Sequence, residues 1–198
     1  MVCCTAPDMA HGYTMQSVRG AADRAVSVAR RFLLAQDAAS ELHDVQADPR
    51  FQARGVDFLW ATRGELLGVE VKGDRQAARR GTYFFELISN VEKNTPGCFL
   101  YSGAHLLLYV FLQRLEVHAL PLSAMRTWFL GCATRYPLRH TGTRLGAEGY
   151  TTVGALVPVR DVLRGVEGAR RVPHAEWAAK GALAAAPLAQ PPGPAALP

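Results

Sequence analysis

Lysine is almost absent from this chain, with three residues against 19 arginines in 198. Basic charge is therefore carried by guanidinium groups, which donate paired hydrogen bonds and suit phosphate recognition. Cysteine is also scarce. Cys3, Cys4, Cys98 and Cys132 form no C-x-x-C pair, which argues against a zinc site and against a disulfide framework. No apolar run is long enough to span a bilayer: the most apolar stretch, 98–112, is short and contains Ser102, Gly103 and His105, so it is expected to be buried core. The opening MVCCTAPDMAHGYT has no basic region followed by an apolar run, so no signal peptide and no membrane partner are expected, and a cytoplasmic setting is. G-x-S-x-G, P-loop, H-E-x-x-H and helix-turn-helix patterns are missing too.

Nearly half the residues are hydrophobic and a fifth are charged, the balance of an ordinary globular domain, and the length favours one domain. The net charge of +5 and pI near 9.3 are compatible with a nucleic-acid partner without requiring one. Residues 1–14 read as a loose leader and 15–170 as the domain. Residues 171–198, rich in Ala and Pro, read as a flexible tail. Apolar residues at helical spacing, among them Val18, Ala25, Ala29, Phe32 and Leu33, predict an amphipathic helix over 15–36. Strands are expected at 41–45, 56–62, 65–72, 82–89, 104–112 and 115–122, with a last one at 153–159. Residues 75–80 read as a connection of at most one helical turn. Ser123 is the expected cap of a following helix, 135–150 an irregular loop, and Asp161 the start of a short helix. The fold class is α/β or α+β.

The stretch GVEVKGD (68–74) places an acid, Glu70, and a base, Lys72, on one face of a strand. With Arg63-Gly64 as a two-residue turn, facing partners have numbers summing to 127, so Asp57 stands opposite Glu70. Two acids with Cβ atoms about 5 Å apart among Phe58, Leu59, Trp60, Val69 and Val71 repel each other. A divalent cation removes that conflict. Mg²⁺, with Mn²⁺ as the candidate substitute, takes hard oxygens, here Asp57, Glu70 and the Val71 carbonyl. Lys72 would then lower the pKa of an attacking water or neutralise charge growing on a phosphate, the set needed for metal-assisted phosphodiester hydrolysis. The competing reading is an exposed strand face with no chemistry.

Asp57, twelve intervening residues, then Glu70-Val71-Lys72 resembles the PD-(D/E)XK nuclease superfamily, as do the flanking QARGVD and VEVKGDRQAARRGTYFFELIS. The similarity runs from about Gln52 through Leu122 and is closest to phage and mobile-element members. It implies a restriction-endonuclease-like core, a central mixed sheet flanked by helices in αβββαβ order. It also implies a Mg²⁺-dependent deoxyribonuclease in which Asp57 and Glu70 are metal ligands and Lys72 is the catalytic lysine. Val56 occupies the position of the name-giving proline. DNA is the expected substrate, with RNA left open, and a homodimer is natural if both strands of a duplex are cut.

Other candidates carry two readings each. Glu86 is either a further group at the metal centre or a solvent-facing strand residue. Asp74 either closes a turn or holds a metal-bound water. Gln52 is a candidate to orient a phosphate, and Asp23 and Glu41 are candidate additional acids. Arg75, Arg79 and Arg80 either hold DNA backbone or solvate a loop. His105 and His118 are expected to be structural. A DNA-binding or assembly module without cleavage is the alternative function.

Overall fold

Alanines recurring on one side of the first long helix allow it to lie close against a sheet, and that contact organises the rest. The computed structural model describes residues 13–75, 77–145 and 148–181. Strand β1 (Tyr13–Thr14) leads into α1 (Met15–Gln36), β2 (Glu41–Asp44), the single turn α2 (Pro49–Gln52) and the hairpin β3 (Phe58–Thr62) and β4 (Glu65–Asp74). A crossover follows, made of α3 (Ala77–Arg80), β5 (Thr82–Asn90), β6 (Thr95–Pro96) and α4 (Cys98–Tyr101). Then come β7 (Leu106–Phe111), β8 (Glu116–Pro121), α5 (Leu122–Leu130), β9 (Leu138–Leu145), β10 (Glu148–Pro158), α6 (Val159–Gly165), β11 (Arg170–Val172) and α7 (His174–Gly181).

The result is an α+β fold with a mixed sheet flanked by helices. The central sheet has six strands in the order β11-β8-β7-β4-β3-β2. Its β4–β7 pair is parallel and its other pairs are antiparallel. A parallel pair needs a long crossover, and residues 75–105 supply it. A second sheet, ordered β1-β9-β10-β5-β6, packs across one face of the first. Ala25, Ala29, Phe32 and Leu33 of α1 cover the other face, against Phe58, Val69, Leu108 and Val110. The opposite core joins Tyr83, Phe85, Ala155 and Val157 of the second sheet to Leu107, Tyr109, Phe111 and Leu120 of the first.

The β3–β4 register runs Phe58↔Val69 through Thr62↔Glu65, the expected sum of 127, and stops there: the expected Asp57–Glu70 pair is not part of the ladder, because the Asp57 N–H turns to the Val69 carbonyl. Arg63 (φ 51°) and Gly64 (φ 80°) both occupy the left-handed region, as a type I′ turn requires. Glycine accepts that conformation without strain, which offsets the less suitable arginine before it.

Several expectations are corrected. Residues 135–150 are not an irregular loop: a 3-10 turn at Ala133–Arg135 precedes β9, and β10 begins at Glu148. Leu138, Arg139 and His140 at the start of β9 are all exposed, on both sides of the strand, so it lacks the apolar alternation that would reveal it. Ser123 does not cap α5, which starts at Leu122 after Pro121 with no side-chain cap. Between the expected strands at 41–45 and 56–62 lies α2, started by Asp48, whose carboxylate accepts the Arg50 N–H at 2.9 Å, and by Pro49. The stretch 98–112 is not uniformly core, since Leu100 and Tyr101 are exposed. The tail does not begin at 171: β11 pairs with β8, and α7 buries Trp177 against α1. Residues 1–12 and 182–198, the greater parts of the expected leader and tail, lie outside the described residues.

Candidate active site

Strand β4 sorts its side chains by parity. Val69, Val71 and Gly73 face α1, and a Cβ on Gly73 would come within 2.6 Å of the Ala25 Cβ, so helix and strand touch there. Glu70, Lys72 and Asp74 face the other way, toward the second sheet. Strand β5 presents an edge to them, and its Phe84 N–H donates to the Tyr109 hydroxyl at 3.1 Å instead of to another strand.

Asp57 stands one residue before β3 begins. Its N–H donates to the Val69 carbonyl at 2.8 Å, and its Oδ2 accepts the Val71 N–H at 2.7 Å. The backbone N–H and C=O of one residue leave an extended strand on the same side. The Val71 carbonyl therefore points past the end of β3, along the edge occupied by Asp57. Burial pushes the Asp57 pKa up to about 6, with the nearby Glu70 and Asp44 carboxylates acting in the same direction and the Val71 N–H and Lys72 opposing.

Glu70 is 7% exposed, and its Oε2 is buried with no hydrogen-bond partner. A buried carboxylate oxygen left unpaired is costly and calls for a ligand. Lys72 Nζ lies 3.2 Å from Glu86 Oε2. The Cys98 sulfur, the Glu86 carboxylate and the Tyr109 phenol raise the Lys72 pKa against the opposing effect of burial. Burial likewise raises the Cys98 pKa, so at neutral pH Cys98 is a thiol and Glu86 supplies the formal charge that holds the ammonium. Glu70, Lys72, Glu86, Cys98, Phe99 and Tyr109 line a cavity of about 10 Å³ accessible to the centre of a water, room for about one molecule.

The other candidates divide. Glu86 is at the site, 16% exposed at its side chain, rather than facing solvent. Asp74 accepts from the Tyr109 hydroxyl at 2.9 Å and from Arg80 at 3.1 Å, so it closes the end of β4 and does not reach Glu70's cavity. That bond draws Arg80 toward Asp74, while Arg79 is exposed and Arg75 half-buried. Gln52 is exposed, and its Nε2 donates to the Gln46 carbonyl at 2.6 Å. Asp23 is exposed on α1, and Glu41 pairs with Ala61 toward the turn end of the hairpin, away from Asp57. His105 accepts the Gly68 N–H at 2.9 Å, and His118 is buried between Tyr83 and Glu116, so both have structural partners.

Sequence reasoning missed Cys98, Tyr101, Tyr109 and Arg126. Arg126 donates from Nε to the Phe99 carbonyl and from a terminal nitrogen to the Ser102 carbonyl, both at 2.7 Å, and so ties α5 to α4 beside Glu70. Nothing in the sequence marks a single arginine in an apolar helix as a partner of residues 27 and 24 positions away.

Among the described residues there is no group of three or more His, Cys, Asp or Glu side chains able to hold a metal ion by itself. Mg²⁺ does not need one, because it keeps several waters and binds through one or two carboxylates plus substrate phosphate. The unpaired Glu70 oxygen, the fixed Asp57 carboxylate and the Val71 carbonyl are hard donors of that kind. The chain matches no family model, no curated protein and no solved structure.

Proposed function

We propose that the chain is a Mg²⁺-dependent deoxyribonuclease that hydrolyses phosphodiester bonds with the PD-(D/E)XK set Asp57, Glu70 and Lys72. The observation that carries the reading is the unpaired buried oxygen of Glu70 on the same strand face as an ammonium, with Asp57 fixed at the adjoining strand end. The element order supports it: one helix, an antiparallel run β2-β3-β4, a crossover with a helical turn, and the parallel strand β7.

Asp57 and Glu70 would hold the metal, with the Val71 carbonyl as a third protein oxygen. When bound, Mg²⁺ polarises the phosphate and makes water a better nucleophile. Glu86 beside it favours the charged form, so Lys72 acts as a fixed positive charge and does not take the proton of the attacking water. Its ammonium faces the negative charge that develops on the phosphate, the electrostatic form of catalysis. Glu86 fixes the position of Nζ.

Purified protein is incubated with plasmid, single-stranded and branched DNA in Mg²⁺, Mn²⁺ or EDTA. Cutting with metal, absent in EDTA and in Lys72→Ala, is expected. Undiminished cutting by both Asp57→Asn and Lys72→Ala would overturn the assignment.

A DNA-binding module without cleavage is the second reading. The observation in its favour is that Lys72 is already paired with Glu86 beside a cavity with room for only one water. Binding without cutting under every metal and substrate would establish it instead.

A further inference from the structure

The turn α4 carries two opposite kinds of side chain. Cys98 and Phe99 face inward and line the cavity with Glu70, Lys72 and Glu86, whereas Leu100 and Tyr101 are 44% and 45% exposed. Consecutive large apolar side chains at the surface are no more than a local accident when the backbone under them is loose. Here it is anchored from three directions. Arg126 holds the carbonyls of Phe99 and Ser102. The Phe99 ring stacks on Phe85 with centroids 4.5 Å apart and planes 3° from parallel. Gly97 donates to the Leu87 carbonyl at 2.8 Å and lies so close to Glu86 that a Cβ would collide with the Glu86 carbonyl carbon.

Tyr101 is therefore a half-exposed aromatic residue on an anchored turn whose other side lines the cavity. Partial burial of its hydroxyl end, with Cys98, Glu70 and Glu86 adding to the effect, raises its pKa, which places that end within the field of the two carboxylates. A flat aromatic face at that position matches the chemistry of a nucleobase, and a chain of net charge +5 favours the attached phosphates. Bases inside a duplex are already stacked on their neighbours, so such a face adds free energy for unpaired bases alone.

We propose that Tyr101 stacks an unpaired DNA base beside the scissile phosphate, making the protein selective for single-stranded or locally opened DNA. The identity of the adjoining phosphate as the scissile one rests on the nuclease reading; the stacking itself does not.

The test measures binding of a labelled dT oligonucleotide and of a blunt duplex in EDTA, where cleavage is off. Tyr101→Ala is expected to weaken oligonucleotide binding by about 5- to 150-fold and duplex binding by less than about twofold. Tyr101→Phe keeps the ring and is expected to bind as wild type. Oligonucleotide binding unchanged in Tyr101→Ala, or an equal loss on both DNAs, overturns the proposal. Cleavage in Mg²⁺ is scored separately: wild type that binds selectively but never cuts refutes the nuclease reading and leaves the stacking in place. Wild type that cuts while Tyr101→Ala binds normally does the reverse.

Discussion

Lys72 Nζ and Glu86 Oε2 are 3.2 Å apart, and the two residues belong to different sheets. The catalytic cation proposed here is thus held by an acid from outside its own hairpin. Replacing Glu86 with Gln removes a charge that raises the Lys72 pKa, so that pKa falls. Cleavage by Glu86→Gln is expected to drop about tenfold, with the alkaline limb of its pH profile moved to lower pH. Lys72→Ala is expected to lose roughly 100-fold or more while binding DNA normally. A Glu86→Gln profile that superimposes on wild type would show that Lys72 is not held by this partner.

Asp57 makes a prediction of opposite sign for stability and for function. Its folded pKa of about 6 exceeds the unfolded 3.8, so the folded state binds the proton more tightly between those values. Its contribution is fully present below pH 3.8, declines as pH rises through 6, and is lost at pH 7. Asn at 57 keeps an oxygen for the Val71 N–H without the charge. In EDTA at pH 7, Asp57→Asn is expected to be more stable by ~1–3 kcal/mol, visible as a higher Tm. Added Mg²⁺ should raise the Tm of wild type and leave that of Asp57→Asn unchanged. A destabilised Asp57→Asn variant in EDTA would refute the account of its burial.

Acid sensitivity is expected from a chain of polar groups that runs from the half-exposed Arg171 to the buried Glu116, His118 and Tyr83 between the sheets. Arg171 donates to Glu116 at 2.8 Å, Glu116 meets His118 Nε2 at 2.7 Å, and His118 Nδ1 meets the Tyr83 hydroxyl. Burial lowers the His118 pKa below 6.5, so the unfolded chain takes up this proton first and stability falls as pH drops below 6.5. The Glu116 pKa is also lowered, because His118 and Arg171 together outweigh the opposing desolvation, so its contribution holds above 4.5 and fades below it. Urea denaturation at pH 7 and pH 5 is expected to show a smaller pH dependence in His118→Gln than in wild type. His118→Ala should cost ~2–4 kcal/mol at pH 7 by stranding the Tyr83 hydroxyl.

Trp177 packs edge-on against Phe32, with centroids 6.0 Å apart, and is 1% exposed. Trp177→Ala is expected to cost ~3–5 kcal/mol in chemical denaturation. The cleavage and DNA-binding constants of the folded fraction should be unchanged, since α7 covers the sheet face opposite the site. A negligible loss would mean that α7 does not hold this position in solution.

These residues also mark what the sequence made legible. The hairpin was readable because turn and register are local: two residues at Arg63-Gly64 fix every pair back to Phe58↔Val69. Helix α1 was readable because its buried positions, Ala21, Ala25, Ala29, Phe32 and Leu33, repeat at helical spacing. The second sheet was not. Strand β9 starts with three exposed residues in a row and has no periodic signature, and its pairing with β10 carries the register that the sequence lacks. Cys98, Tyr101 and Arg126 reach the site only through the crossover and α5, and no short-range pattern encodes that convergence. Trp177 sits in an alanine-rich segment whose composition resembles a tail, so one large side chain decided what the average concealed.

The turn at Arg63-Gly64 takes no part in any chemistry proposed for the chain, yet a single inserted or deleted codon there would reach it. Side-chain faces alternate with every residue, so an odd change in turn length that no bulge absorbed would bring the α1-facing valines of β4 to the face that Glu70 and Lys72 now share with Asp57. An unchanged set of acids and bases would then be divided between opposite sides of the sheet. Hairpin length is in that sense a part of the reagent list, written in a segment that holds none of the reagents.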